Sequence, residues 1–243
     1  MACCFYFQAT STSFPPLFNT FRGAQVEETA FEDSGLLHTL SSGNAVTLTV
    51  CRRSDSELFS FYSSLIVGGH RFEVPLPEAV KQAKAQFKFA SYARWNLVIS
   101  HQRRIRLNRE LNQQEAPPDA VRLDVTGKAA HGNSAQTMLI WPSLTLIGCV
   151  SAEKKGTRNG CLYTVASVRD DTVRFENLEA SFTYDQVKQW LRLSYAQTYA
   201  SCQGTVFEGP LRLWDVGHKY FTRRHLIVGL SRSKSAAFIG LKD

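Results

Sequence analysis

The chain has 243 residues and an ordinary hydrophobic fraction of 44%, enough to bury a core in one or two domains. A formal charge of +7 favours an anionic partner, nucleic acid foremost. The six cysteines (Cys3, Cys4, Cys51, Cys149, Cys161, Cys202) form no C-x-x-C pair and join no histidine cluster, so they read as reduced thiols of an intracellular protein, nuclear or cytoplasmic, and no metal site is expected. The longest apolar run, Met138 to Val150, is interrupted by Pro142 and Gly148, so no membrane partner is expected.

Residues 1–24 are rich in Ser, Thr, Phe and Pro and read as an irregular segment broken by Pro15-Pro16. A short amphipathic helix is expected over Phe31 to Leu40 and a strand over Ala45 to Val50. After Cys51-Arg52-Arg53, Ser54 with Glu57 reads as a capping box opening a helix whose apolar face is Leu58, Phe59, Tyr62 and Leu65, ended by Gly68-Gly69. Pro75 to Pro77 read as a linker before a helix over Glu78 to Phe87. Trp95 to Ser100 has strand length, and the polar segment His101 to Leu111 that follows is helical in character. That segment carries Arg103, Arg104, Arg106 and Arg109, a pattern suited to a phosphate backbone or to a solvated helix face.

From Pro117-Pro118 the composition changes to short strands: Ala120 to Val125, Thr137 to Trp141, Leu144 to Val150, Leu162 to Val168 and Thr172 to Phe175. Turns at Lys155-Gly156 and Asn159-Gly160 separate the later ones. Helical character returns with a capping box at Thr183 and Gln186, a staple of Phe182 with Val187, and a buried face of Val187, Trp190 and Leu191. The last 50 residues read as strand, helix, strand. The domains expected are an irregular segment 1–24, the first part of an α/β domain over 25–116, a β-rich insert over 117–180, and the second part of the α/β domain over 181–243.

Self-contained hydrolytic chemistry is excluded by the motifs that are missing. The string nearest to a P-loop, Arg122 to Ala129, lacks the first glycine and the hydroxyl residue that such a loop needs for phosphate and magnesium. No G-x-S-x-G or H-E-x-x-H string is present, and the six histidines are scattered. Two arginines stand out because each ends an ordered segment, Arg53 after a predicted strand and Arg232 after the apolar run Leu226 to Leu230. An arginine so placed can reach across a cleft to a transferring phosphoryl group. Thr198 to Thr205 offers hydroxyls, an amide and a glycine at an expected helix N-terminus, a composition that suits a phosphate and also a plain turn.

In their order these segments resemble the C-terminal half of superfamily 1 DNA helicases of the RecD- and Pif-like branch, over about residues 30–243. Leu48-Thr49-Val50-Cys51-Arg52-Arg53-Ser54 is similar to motif IV, Ser194 to Thr205 (SYAQTYASCQGT) to motif V, and Val228-Gly229-Leu230-Ser231-Arg232 to motif VI. Asn159-Gly160 matches the Asn-Gly that precedes motif V in this branch. Ala200 stands where the family has His, and Gly229 where Ala is usual. The motifs of the first RecA-like domain are not found, as though the chain began just after them.

The resemblance implies a RecA-like α/β fold, a mostly parallel sheet flanked by helices, with a small β-barrel-like insert. It implies that Arg53 and Arg232 face the γ-phosphate of ATP with magnesium, held in partnership with a separate N-terminal P-loop domain. It places Gly204 at the nucleotide cleft. Arg103, Arg104, Asn108, Thr198 and Gln203 would lie toward single-stranded nucleic acid, DNA favoured over RNA. The function implied is the C-terminal motor half of an ATP-dependent helicase, without ATPase activity of its own. A stand-alone basic nucleic-acid-binding module and an inactive helicase remnant are the alternatives.

Overall fold

The structure, a computed structural model, describes residues 51–65, 74–125, 136–151, 156–202 and 204–243, together with 20–21, 24–25 and 39. The expected helix over Phe31 to Leu40 (apart from Thr39), the strand over Ala45 to Val50, the Gly68-Gly69 stop, Lys155 and the candidate Gln203 lie outside the described residues.

In chain order the elements are a hairpin of β1 (Thr20–Phe21) and β2 (Ala24–Gln25), then α1 (Ser56–Ser64), α2 (Leu76–Gln86), β3 (Trp95–Val98) and α3 (His101–Glu115). Six strands follow: β4 (Val121–Leu123), β5 (Met138–Ile140), β6 (Thr145–Gly148), β7 (Leu162–Arg169), β8 (Thr172–Phe175) and β9 (Ser181–Thr183). The chain then runs through α4 (Tyr184–Trp190), β10 (Leu191–Leu193), β11 (Ala196–Thr198), β12 (Leu211–Leu213), α5 (Arg223–Leu230) and β13 (Ile239–Leu241).

The central sheet is parallel throughout, in the order β11-β3-β12-β13. Its strands are buried, as a parallel sheet covered on both faces requires. On one face Leu97, Leu211, Leu213 and Ile239 pack with Leu58 of α1, Ala79 and Ala83 of α2, and Leu226, Ile227 and Leu230 of α5. On the other, Val98 and Ala196 meet Leu107 of α3. Each fully buried leucine contributes on the order of 1.5–3 kcal/mol, which makes this two-faced sheet the main support of the fold.

The second core belongs to an antiparallel sheet in the order β10-β6-β7-β8-β9, with Leu146, Tyr163, Val165, Val173, Phe175, Phe182 and Val187 inside it. The turn joining β7 to β8 holds Asp170 and Asp171 at φ 47° and 57°, the left-handed pair that suits a two-residue hairpin. The capping box of Thr183 with Gln186 forms as the sequence indicates. The sheet also takes in Leu191–Leu193, pairing antiparallel with β6 directly after α4. That strand was not foreseen, because Leu191 reads as part of the buried face of the preceding amphipathic helix.

Three local expectations are corrected. Asp55, not Ser54, caps α1: its Oδ1 accepts from Leu58 N at 2.9 Å, while the Ser54 hydroxyl donates to Ser233 O at 3.0 Å. Helix α2 begins at Leu76, inside the expected linker, because Pro77 falls in the first turn where no backbone donor is required. The residues after Thr198 form turns leading to β12 rather than a helix N-terminus, so Thr198 to Thr205 has no helix dipole to offer an anion. Among the described residues no helix is long and apolar enough to cross a membrane.

Candidate functional site

Arg53 and Arg232 are 179 residues apart in the chain, and hydrogen bonds join the residues that follow each of them. Besides the Ser54 bond to Ser233, Asp55 N donates to Lys234 O at 2.8 Å, and Asp55 Oδ2 accepts from Ala236 N at 2.8 Å. One carboxylate therefore caps α1 and anchors the segment that follows α5. Arg232 itself is half-buried, its Nε donating to Val228 O at 3.3 Å and an Nη to the Ser231 hydroxyl at 3.1 Å. Arg53 is exposed.

Burial lowers the pKa of Arg232, the Cys202 thiol opposes that shift, and the positive charge of Arg53 adds to it. Two like charges held near one another, one partly desolvated, form a site whose repulsion an anion relieves. Cys202 is buried, which pushes its thiol up to about 12, while the charge of Arg232 pulls the other way. Gly204 has φ +85° and open space where a Cβ would stand, so its backbone conformation, not crowding, calls for glycine.

These groups lie at the amino edge of the parallel sheet. Phe207, four residues before β12, bridges to Ser233, six residues before β13, and Phe207 N donates to Arg232 O at 2.8 Å. Arg103, Arg104 and Asn108 follow β3 and Thr198 ends β11, so these four lie toward the carboxyl edge. The structure thus divides the predicted site residues into two groups on opposite edges.

At the carboxyl edge, Arg103 forms an ion pair with Asp215 and donates to Asp243 O at 3.2 Å, with its guanidinium 4.7 Å from the Trp214 ring centroid. Asp215 also accepts from Ile99 N at 2.9 Å, so the pair ties the end of β3 to the end of β12. The Thr198 hydroxyl is engaged by Ser201, 3.0 Å from its Oγ, within a turn closed by Ser201 N donating to Thr198 Oγ1 at 3.2 Å.

Arg104 and Asn108 are fully buried, and a side chain with no exposed surface cannot touch a nucleic acid directly. That part of the sequence expectation is corrected. Burial pushes Arg104 down to about 10, with the adjacent buried Arg192 acting in the same direction. Asn108 clamps one residue of β11, its Oδ1 accepting from Ala196 N at 2.8 Å and its Nδ2 donating to Ala196 O at 3.2 Å. One turn later, Asn112 does the same to β5, binding Leu139 N and Leu139 O, each at 2.8 Å. Helix α3 therefore ties the central sheet to the two-stranded sheet of β4 and β5 through a pair of side-chain amides. Asn112 was not singled out from sequence, although its i, i+4 spacing from Asn108 was visible.

Gly229 lies within α5 where the helix crosses β12. A Cβ there would come within 2.8 Å of a Leu213 methyl and 3.0 Å of the Tyr199 ring, so glycine permits this close approach. At the start of α5, Thr222 and His225 form a capping box in which His225 Nδ1 accepts from Thr222 N at 3.0 Å. The His225 ring stacks on Phe221 at a centroid distance of 5.6 Å, and burial lowers its pKa to about 4. A histidine whose folded pKa is depressed contributes stability that is complete above its unfolded value of about 6.5 and is lost as pH falls toward about 4. His101, also lowered by burial, acts in the same direction. Urea midpoints should fall between pH 6.5 and 4, and His225→Gln, which keeps an acceptor at the cap, should flatten that dependence.

No protein-family model matches the chain, and no curated protein matches it in sequence. Solved structures match it in fold. The Pif1 helicase from Candida albicans superposes with a TM-score of 0.58 at 13% identity, covering 96% of this chain and 62% of that one. The Bacteroides Pif1 helicase in complex with ADP-AlF3 and ssDNA gives 0.55 at 18% identity, covering 81% of this chain and 51% of that one. A structure of two coordinating Pif1 helicases unwinding forked dsDNA gives 0.55 at 16% identity, covering 79% and 48%. The chain spans about half the length of these neighbours. It has a DNA-helicase-like α/β fold, RecA-like in its parallel sheet and consistent with the C-terminal half of such a helicase.

Proposed function

We propose that this chain acts as the second motor half of an ATP-dependent DNA helicase. In this reading Arg53 and Arg232 face the γ-phosphate of a nucleotide bound by a P-loop domain, supplied by another domain or another chain. The observation that supports the proposal is the bridge from Ser54 and Asp55 to Ser233, Lys234 and Ala236, which joins the segments that carry the two arginines. Paired guanidinium groups suit the charge that a phosphoryl group develops as it transfers. The nucleotide's remaining phosphates and its magnesium would be held by the P-loop partner.

The chain's own residues bind and orient. Asp55 fixes the spacing between the arginine-bearing segments, and Gly204 would stand at the nucleotide cleft. Single-stranded nucleic acid would run along the opposite, carboxyl edge, past Thr198 and the exposed part of Arg103, with Asn108 and Arg104 supporting that edge from beneath. Closing and opening of a cleft at the amino edge would thus be transmitted through the sheet to the strand at the other edge.

The isolated chain should show no ATP turnover above background in a steady-state assay, with or without single-stranded DNA. Turnover by the chain alone that is lost in Arg232→Ala would overturn the assignment to a half-motor.

A further inference from the structure

The loop between β12 and α5 is not part of any motif considered above, and it carries the most exposed large aromatic among the described residues. Tyr220 is 63% exposed. It belongs to a run of four exposed residues, Gly217 to Tyr220, held between buried Val216 and buried Phe221.

The loop has a fixed shape. His218 N donates to Asp215 O at 2.9 Å, Phe221 N to His218 O at 2.8 Å, and Tyr220 N to His218 Nδ1 at 3.2 Å. Phe221 anchors it from below, its ring 5.6 Å from that of Tyr199, the residue after Thr198. An aromatic ring exposed on an ordered loop has lost its conformational freedom without gaining burial, which favours a partner that covers its face.

The charges around it select the partner. Lys219 Nζ lies 4.9 Å from the Tyr220 ring centroid. Lys242 is exposed on the neighbouring strand end, and its backbone oxygen accepts from Val216 N at 3.4 Å. The two nearby carboxylates are already engaged, Asp215 by Arg103 and Asp243 by Lys84 at 2.7 Å. What remains at the carboxyl edge is an exposed aromatic ring with Lys219 against it, and Lys242 close by over the Trp214 ring at 4.9 Å. Bases stack on such faces whatever their sequence, while lysines neutralise the phosphates.

We infer that Tyr220 is a stacking platform for one base of a single-stranded nucleic acid and that Lys219 contacts the adjoining phosphate. The inference rests on the reading of the carboxyl edge as the nucleic-acid track and assigns a residue to it.

The test is fluorescence anisotropy of the whole chain with a labelled oligothymidine, and with the matching oligouridine, over a range of salt. Tyr220→Ala should weaken binding about 10-fold, while Tyr220→Phe, which keeps the ring, should bind as the unchanged chain does. Lys219→Gln should reduce the slope of log affinity against log salt by about 0.7. In a parallel experiment, a 5-iodouracil oligonucleotide should photocrosslink to Tyr220. If the chain binds the oligonucleotide but Tyr220→Ala binds equally well and no crosslink maps to Tyr220, the platform is refuted and the track at this edge survives. If the unchanged chain does not bind either oligonucleotide at low salt, both are refuted.

Discussion

Asp215→Ala should destabilise the fold by about 3 kcal/mol, read as a lower urea midpoint at unchanged slope. Three losses combine at this position. The carboxylate is buried and pairs with Arg103, whose side chain is only 23% exposed, so removing the acid leaves a largely desolvated guanidinium without its counter-charge. Ile99 N loses the acceptor now 2.9 Å away, at the point where β3 gives way to α3. Asp215 also has φ +64°, a conformation that Asp tolerates better than Ala does. Asp215→Asn can keep one acceptor, for Ile99 N, and the tolerance of positive φ, while losing the charge and the oxygen that accepts from Arg103, so its cost should be smaller. Equal costs for the two variants would show that the ion pair, rather than the backbone, governs this corner.

Asn108→Leu should cost a similar amount, about 2–4 kcal/mol. Its amide satisfies both the N–H and the C=O of Ala196, and leucine would leave both buried without those bonds, at about 1–3 kcal/mol each before relaxation. Asn108→Asp probes the two halves of the clamp separately, because the carboxylate can still accept from Ala196 N but repels Ala196 O. Hydrogen exchange should then show Ala196 and its neighbours in β11 opening well before the antiparallel sheet, which does not depend on this bond. Uniform loss of protection across both sheets would instead show that the two cores unfold as one unit.

The behaviour of α3 shows what the sequence could reveal and what it could not. Its existence was legible from Trp95 to Leu111, a buried strand followed by a polar helical stretch. Its buried face was not, because that face is made of Arg104, Leu107, Asn108 and Asn112, and hydrophobic periodicity does not register a polar stripe. A run of arginines on a polar helix suggests solvent or phosphate, yet the arginine at the centre of the run is buried under a neighbouring sheet. The short strands between Val121 and Phe175 were legible because turns separate them, whereas Leu191, the first residue of β10, was absorbed into the preceding helix pattern. The cap of α1 was misplaced by one residue, since Ser54 and Asp55 are both good caps and only the contact with Ser233 to Ala236 decides between them.

The two arginines were found for a different reason. Each ends a segment, and a resemblance to helicase motifs gave both the same implied partner. Nothing in the spacing of Arg53 and Arg232 along the chain places them together. Long-range hydrogen bonds from Ser54 and Asp55 join their segments, and these are invisible to any local pattern.

The most direct measurement of the pairing is a side-chain NMR titration of the isolated chain with ATP and with AMP at millimolar concentrations. The Nε–Hε resonances of Arg53 and Arg232 can be assigned by Arg53→Lys and Arg232→Lys. If the pair faces a terminal phosphate, both resonances should shift with ATP and neither with AMP, and replacing one arginine should weaken the response of the other. Resonances unmoved by ATP, or moved equally by AMP, would contradict the assignment of this edge to the nucleotide.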